Sequence, residues 1–265
     1  MTDDRSHLPM AESRLPRVGT YRCTVPVGLD RVYENALDWE RLPHVHADIF
    51  ASIECEDAGP WGWRAWTVDR NGHTRRIELR LDRLPRRWIV RVLDGANVGA
   101  EVWTRALPLA RRRTDIVVEF FLPGVEPKEH AQIGDACAAL CRRLYDRDVA
   151  MMIERQRQID RRVETQRDVA ALDLGAVETL QLPLRVEFDG RAYFVVRGPA
   201  GPLAHVARCP HRLGPLEPAV DGVATCPWHG YRFEITTGIC LTGGPCRLPP
   251  APRVSVRDGV VRLER

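Results

Sequence analysis

Hydrophobic and polar positions alternate along "TYRCTVPV" (20–27), the pattern of a strand with one buried face. In "LDRVYENALDWERL" (29–42) the apolar positions fall instead at helical spacing, with Pro43 as the expected stop. From Phe50 to Leu122 the alternation returns in short runs: "WGWRAWTVD", "RRIELRLD", "RWIVRVLD", "AEVWTRAL" and "DIVVEFFL". Gly, Pro or Asn turn signals bound each run, which predicts an antiparallel meander. A long helix is then expected from about His130 to Asp168, with Ile133, Cys137, Leu140, Leu144, Met151 and Ile159 along one face.

Strand, helix, curved sheet and long closing helix together predict a helix-grip shape, in which the sheet wraps the helix and leaves a cavity. Around "DLGAVETL" (173–180) the character changes to short strands rich in Gly and Pro, and a domain boundary is placed near residue 172. The expected organisation is an α+β chain. It is expected to have a disordered tail over 1–16, a helix-grip domain over 17–171 and an all-β domain over 172–265.

Composition narrows the function classes. The chain has 265 residues, enough for one or two cores, with 44% hydrophobic and 28% charged residues. It has no apolar run of membrane-spanning length, and its first residues are polar, unlike a signal peptide. A formal charge of +3 is too small to imply nucleic acid. Reduced thiols and this soluble character point to a cytoplasm. Of the eight cysteines, Cys23, Cys55, Cys137 and Cys141 have no histidine at ligand spacing and read as small packing residues. Cys240 and Cys246 read as structural too. His205 reads as a core or surface residue near a loop, His73 as a hairpin residue, and His7 and His130 as unengaged. Trp61, Trp63 and Trp66 supply area to the sheet, and some could face the cavity.

The chemistry concentrates in "CPHRLGPL" (209–216) and "CPWHGYRFEITTG" (226–238). Two Cys–His turns could hold zinc. Zinc fingers usually pair Cys with Cys and His with His, whereas each turn here carries one of each. That mixed set suits a [2Fe–2S] cluster with two thiolates on one iron and two imidazoles on the other.

These two stretches resemble the cluster loops of Rieske proteins, and the resemblance covers roughly 175–265. It implies Cys209 and Cys226 on one iron and His211 and His229 on the other. The extra loop cysteines of high-potential Rieske proteins are replaced by Gly214 and Trp228. That resembles the ferredoxin and oxygenase subtype, with a potential towards the low end, about −150 mV.

A Rieske domain joined to a START-like (SRPBCC) helix-grip domain resembles the Rieske non-haem iron oxygenases, although that family usually places the Rieske domain first. The resemblance implies bacteria, and electrons passing from a ferredoxin or flavin reductase through the cluster to a mononuclear iron. That iron would activate O₂ to hydroxylate or demethylate a small apolar, aromatic or alicyclic substrate, in a homo-oligomer, by analogy a trimer. The family's iron helix reads Asn-x-x-Asp-x-x-His-x₄-His. "ENALDWERLPHVH" supplies Glu34, Asn35, Asp38 and His46 in register, but Arg41 stands at the first histidine, and a guanidinium cannot ligate iron. His44 or Glu40 could substitute. "LYDRDVAMMIERQ" places Asp148 inside the apolar stripe of the long helix, as third ligand. The alternative is an ion pair between Asp148 and Arg41 in place of the metal, leaving a Rieske electron-transfer or ligand-binding protein. Asp38 would couple the two centres in the family; its alternative is a surface carboxylate near Arg41.

Overall fold

A computed structural model of the chain describes residues 12–163 and 169–265. Most of the tail expected over 1–16 lies outside them. The chain divides into two compact units, Met1–Ile153 and Glu154–Arg265. The division falls inside the long helix, ahead of the change in secondary structure near residue 172.

In the first unit β1 (Arg17–Val25) leads into α1 (Leu29–Leu37). The expected helix does not continue to Pro43. It ends at Asp38, a 3-10 turn follows over Trp39–Arg41, and α2 (Leu42–Val45) starts afresh. Pro43 therefore opens a helix rather than stopping one. The first turn tolerates a residue without an N–H, and the fixed φ of proline suits it.

Six strands then meander: β2 (Phe50–Gly59), β3 (Gly62–Asp69), β4 (Thr74–Asp82), β5 (Arg87–Gly95), β6 (Glu101–Ala110) and β7 (Arg113–Phe121). The sheet order is β1-β7-β6-β5-β4-β3-β2, so the first strand pairs with the last. Irregular register at Arg17/Gly19, Cys55/Asp57, Arg76/Ile77 and Pro108/Ala110 bends the strands and supplies the curvature. β2 has no named run in the sequence reading because its side chains hardly alternate, as an edge strand permits.

The helix α3 (His130–Val163) follows. Residues 164–168, where it was expected to continue, lie outside the described residues. Cys141 and Met152 are buried in the core with Val18, Ile116 and Val118, while Ile133, Cys137, Tyr145 and Val149 pack against it. Leu140, expected on this face, is exposed. The stripe of buried and half-buried positions runs 137–141–145–148–152, turned slightly from the phase that the apolar residues alone suggest. Helix and sheet meet backbone to backbone at two glycines: a Cβ on Gly19 would lie 2.6 Å from the Cα of Gly134. This strand, helix, seven-stranded sheet and long helix make the helix-grip fold.

The second unit holds α3 from Glu154 onward and eight strands: β8 (Ala171–Ala176), β9 (Leu184–Phe188), β10 (Arg191–Gly198), β11 (Gly201–Val206), β12 (Val223–Thr225), β13 (Arg232–Glu234), β14 (Arg253–Arg257) and β15 (Val260–Glu264). They form small sheets ordered β11-β10-β9, β12-β13 and β14-β15-β8. Phe188, Val195, Phe233, Val206 and Leu263 share one buried core with Cys209 and Cys226 of the Cys–His turns. The whole chain is α+β, as expected.

Candidate metal centres

The first loop leaves β11 at Val206. It is pinned where the Ala207 N–H donates to the Ala192 carbonyl (2.9 Å) and the Leu216 N–H donates to the Ala207 carbonyl (3.0 Å). Inside that frame the Cys209 N–H donates to Gly214 O (2.9 Å), and the Leu213 N–H returns to Cys209 O (3.0 Å). The second loop joins β12 to β13. The Cys226 N–H donates to Tyr231 O (2.8 Å), and the Gly230 N–H donates to Cys226 O (2.9 Å). Gly230 takes φ +67°, which lets the chain turn back after His229 without a Cβ penalty.

These two turns bring the four predicted donors together. Cys209 and Cys226 are fully buried, and their thiols share a hydrogen bond that lowers Cys226 and raises Cys209. The imidazoles of His211 and His229 lie with ring centroids 4.6 Å apart. Two adjacent thiols and two adjacent imidazoles, one of each per loop, fit a [2Fe–2S] cluster with Cys₂ on one iron and His₂ on the other.

Position 214 leaves no room for a side chain. A Cβ there would meet the Trp228 ring at 2.7 Å and the Cys226 sulfur at 3.3 Å. Gly214 and Trp228 thus pack as a pair. Tyr231 was missed by the sequence reading. Its ring packs 4.7 Å from that of His211, and an aromatic residue directly after the His-Gly of the second loop was the available signal.

The second predicted centre lies in the first unit. His46 and Asp148 do converge: His46 Nε2 is 2.9 Å from one carboxylate oxygen of Asp148. The other oxygen accepts from Arg41 Nη2 at 2.8 Å and from Asn35 Nδ2 at 3.0 Å. Arg41 Nη1 also donates to the Asp38 carbonyl at 2.8 Å. The group is deeply buried, with His46 1%, Arg41 6% and Asp148 6% exposed. Burial alone would raise the Asp148 carboxyl, but the Arg41 charge and the bonds from His46 and Asn35 outweigh it and hold it at about 2. His44 is not part of this group: it is exposed on α2 while His46 is buried.

This donor set does not fit a mononuclear iron. Both Asp148 oxygens are engaged, a guanidinium occupies the space beside them, and one histidine rather than two reaches the carboxylate. Among the described residues no group of three or more His, Cys, Asp or Glu side chains is placed to hold a single ion. Asp38 is buried rather than on the surface.

The other histidines and tryptophans have local roles. His205 is buried: its Nδ1 donates to Val206 O (2.9 Å) and its Nε2 accepts from the Ala219 N–H (3.1 Å). Burial lowers its pKa, so the ring is neutral with its proton on Nδ1. His73 closes the β3–β4 turn onto Asp69. His130 reaches the Val125 carbonyl, and His7 lies outside the described residues. Trp63 is buried and donates to the Ala36 carbonyl (2.9 Å), while Trp61 and Trp66 stay partly exposed.

The sequence profile of the Rieske [2Fe-2S] domain matches residues 169–253. No curated protein matches the chain at a significant level. Solved structures similar to the first part include norcoclaurine synthase from Thalictrum flavum in complex with dopamine and hydroxybenzaldehyde. It is 14% identical, with 51% of this chain and 85% of that chain covered and a TM-score of 0.40. A START superfamily protein from Mycobacterium smegmatis is 13% identical, covering 48% and 94%, with a TM-score of 0.41. The ferredoxin of carbazole 1,9a-dioxygenase from Nocardioides aromaticivorans is 25% identical, covering 36% of this chain and 98% of its own, with a TM-score of 0.32. The fold of the first unit rests on its own strand order and long helix. By its matched residues and by the four donors that its two loops bring together, the second unit belongs to the Rieske [2Fe–2S] domain family, set in this chain after a helix-grip domain.

Proposed function

We propose that the chain is a Rieske electron-transfer protein whose helix-grip domain serves as a binding module and lacks mononuclear iron. The observation that supports this reading is the Arg41 guanidinium on the Asp148 carboxylate, where the resemblance to oxygenases calls for an iron. The cluster, when bound, stores and releases one electron. The protein's residues do the rest. Cys209, Cys226, His211 and His229 hold the cluster, and Tyr231 and Trp228 pack around its loops. A flavin reductase or ferredoxin is the electron donor, and a small apolar molecule is the ligand of the helix-grip domain. The setting is a bacterial cytoplasm; among the described residues no helix is long and apolar enough to cross a membrane.

The oxygenase remains a second reading, favoured by the convergence of His46, Asp148 and Asn35 at the family's positions. It requires Arg41 to withdraw so that His46 and Asp148, with His44 or Glu40, hold iron. It would then use O₂ on the apolar substrate, with Asp38 coupling the centres. Arg41→His separates the two. If the site was lost to the ion pair, the natural protein binds no ferrous ion beyond its cluster, and Arg41→His, which frees Asp148 and adds an imidazole, gains about one. Extra iron in the natural protein that disappears in His46→Ala would overturn the proposal in favour of the oxygenase.

A further inference from the structure

Neither cluster loop uses Cys240 or Cys246, and the sequence gives both only a packing role. The chain that follows β13 folds back on itself. The Gly238 N–H donates to Glu234 O (2.8 Å), and the Leu248 N–H donates to Gly238 O (2.9 Å). The Arg247 guanidinium clamps the Thr237 carbonyl with two bonds, at 2.5 and 2.8 Å. Residues 238 and 248 are thus held side by side. Two residues further in from each, Cys240 and Cys246 come near enough that each sulfur shifts the ionisation of the other. Both are half-buried against the core of the second unit. A disulfide needs facing Cβ atoms a few ångströms apart, and the backbone bond between residues 248 and 238 brings the segments that carry the two cysteines together.

The two thiols are chemically unequal. Burial works against ionisation of Cys240, but Thr242, the Gly244 N–H and Cys246 hydrogen-bond to its sulfur and hold its pKa below the ordinary value. The Thr242 hydroxyl is 3.3 Å away. Burial and the neighbouring Cys240 push Cys246 up. A thiolate is the attacking species in disulfide exchange, so Cys240 is the nucleophile and Cys246 the resolving thiol.

We propose that Cys240 and Cys246 form a redox-responsive pair that closes into an intrachain disulfide on meeting a small disulfide oxidant of the glutathione type. The Cys240 thiolate attacks the oxidant, forming a mixed disulfide and releasing one glutathione thiolate. Cys246, losing its proton, attacks the Cys240 sulfur and expels the second. The protein gives up two electrons and two protons, and one oxidised glutathione becomes two reduced molecules. The bond ties the base of loop 241–245. Gly244 of that loop lies so close to Tyr231 that an added Cβ would sit 3.1 Å from its ring, and Tyr231 packs on the cluster ligand His211. The pair therefore sits one residue layer from the redox centre.

The test uses the full chain with its cluster assembled, kept free of oxygen and incubated with oxidised glutathione. The protein is quenched with a maleimide and digested with trypsin. Both cysteines fall in the peptide 233–247. The expected product is this peptide two hydrogens lighter than its dithiol form and free of maleimide, taking two maleimides after reduction with dithiothreitol. Cys246→Ser should trap glutathione on Cys240 at least about fivefold faster than Cys240→Ser traps it on Cys246. A wild-type peptide that still takes two maleimides, or that carries glutathione on both cysteines with no internal bond, overturns the proposal. So does a bond that forms only as the cluster's visible absorbance disappears, because the pairing would then belong to an unfolded domain. Equal trapping in the two variants overturns the assignment of Cys240 as the attacking thiol.

Discussion

Arg41 shows what one side chain does to a buried carboxylate. With Asp148 out of water, a partner is obligatory, and Arg41, His46 and Asn35 supply it. Removing Arg41 leaves a buried charge with its main counter-charge gone. Arg41→Ala should therefore lower the unfolding free energy of the first unit by about 3–5 kcal/mol in urea melts. A loss under about 0.5 kcal/mol would mean that Asp148 is not held by this pair. Glu234 is the opposite case, a carboxylate near the surface. Hydroxyl and amide bonds from Thr236 and Thr237 hold its pKa at about 2. Because the folded value is depressed, its contribution is present above about pH 4.3, the unfolded value, and fades as pH falls from there towards 2. Glu234→Gln should cost less than about 1 kcal/mol at pH 7, given its exposure to solvent, and the gap between the two proteins' melting temperatures should shrink at pH 3. A gap that widens in acid would contradict this account. At this scale the sequence was informative wherever spacing is local. The Cys–His turns are legible because each loop carries its donors within four residues. The Arg41–Asp148 contact spans 107 positions, so the sequence offered it only as one of two readings.

Elements meet where side chains are smallest. Gly19 on β1 and Gly134 on α3 let strand and helix approach backbone to backbone, and a Cβ on Gly134 would run into the Val18 carbonyl oxygen. Gly134→Val should cost about 1–3 kcal/mol and loosen the grip of α3 on the sheet, read as faster amide exchange in β1. Unchanged exchange would show that the close approach is not needed. The sequence marks both residues as glycine without saying that they face each other, because such a contact is written in no periodicity. Element types were legible from alternation and helical spacing. The phase of α3 was less so: Leu140 looked like a core residue, yet Cys141 and Met152 take the buried positions. Leu140 lies one residue, about 100° around the helix, from the stripe that carries Asp148. The break at Asp38 was hidden because Pro43 reads equally well as the stop of one helix and the first turn of the next.

As a whole molecule, the chain joins a one-electron centre to a fold that wraps a long helix. The two Cys–His turns come together, and Arg41 and Asp148 form the ion pair on which the proposal of no mononuclear iron rests. The central claim is therefore about metal stoichiometry. The direct measurement is iron and acid-labile sulfide per chain, on protein purified without oxygen, incubated with ferrous iron and freed of loosely held metal. Sulfide counts assembled clusters and corrects for incomplete loading. The account predicts an iron-to-sulfide ratio of about one, the value of a [2Fe–2S] centre alone. A ratio near three to two would mean one further iron per cluster, and would contradict the reading of Arg41 and Asp148 as a replacement for the metal.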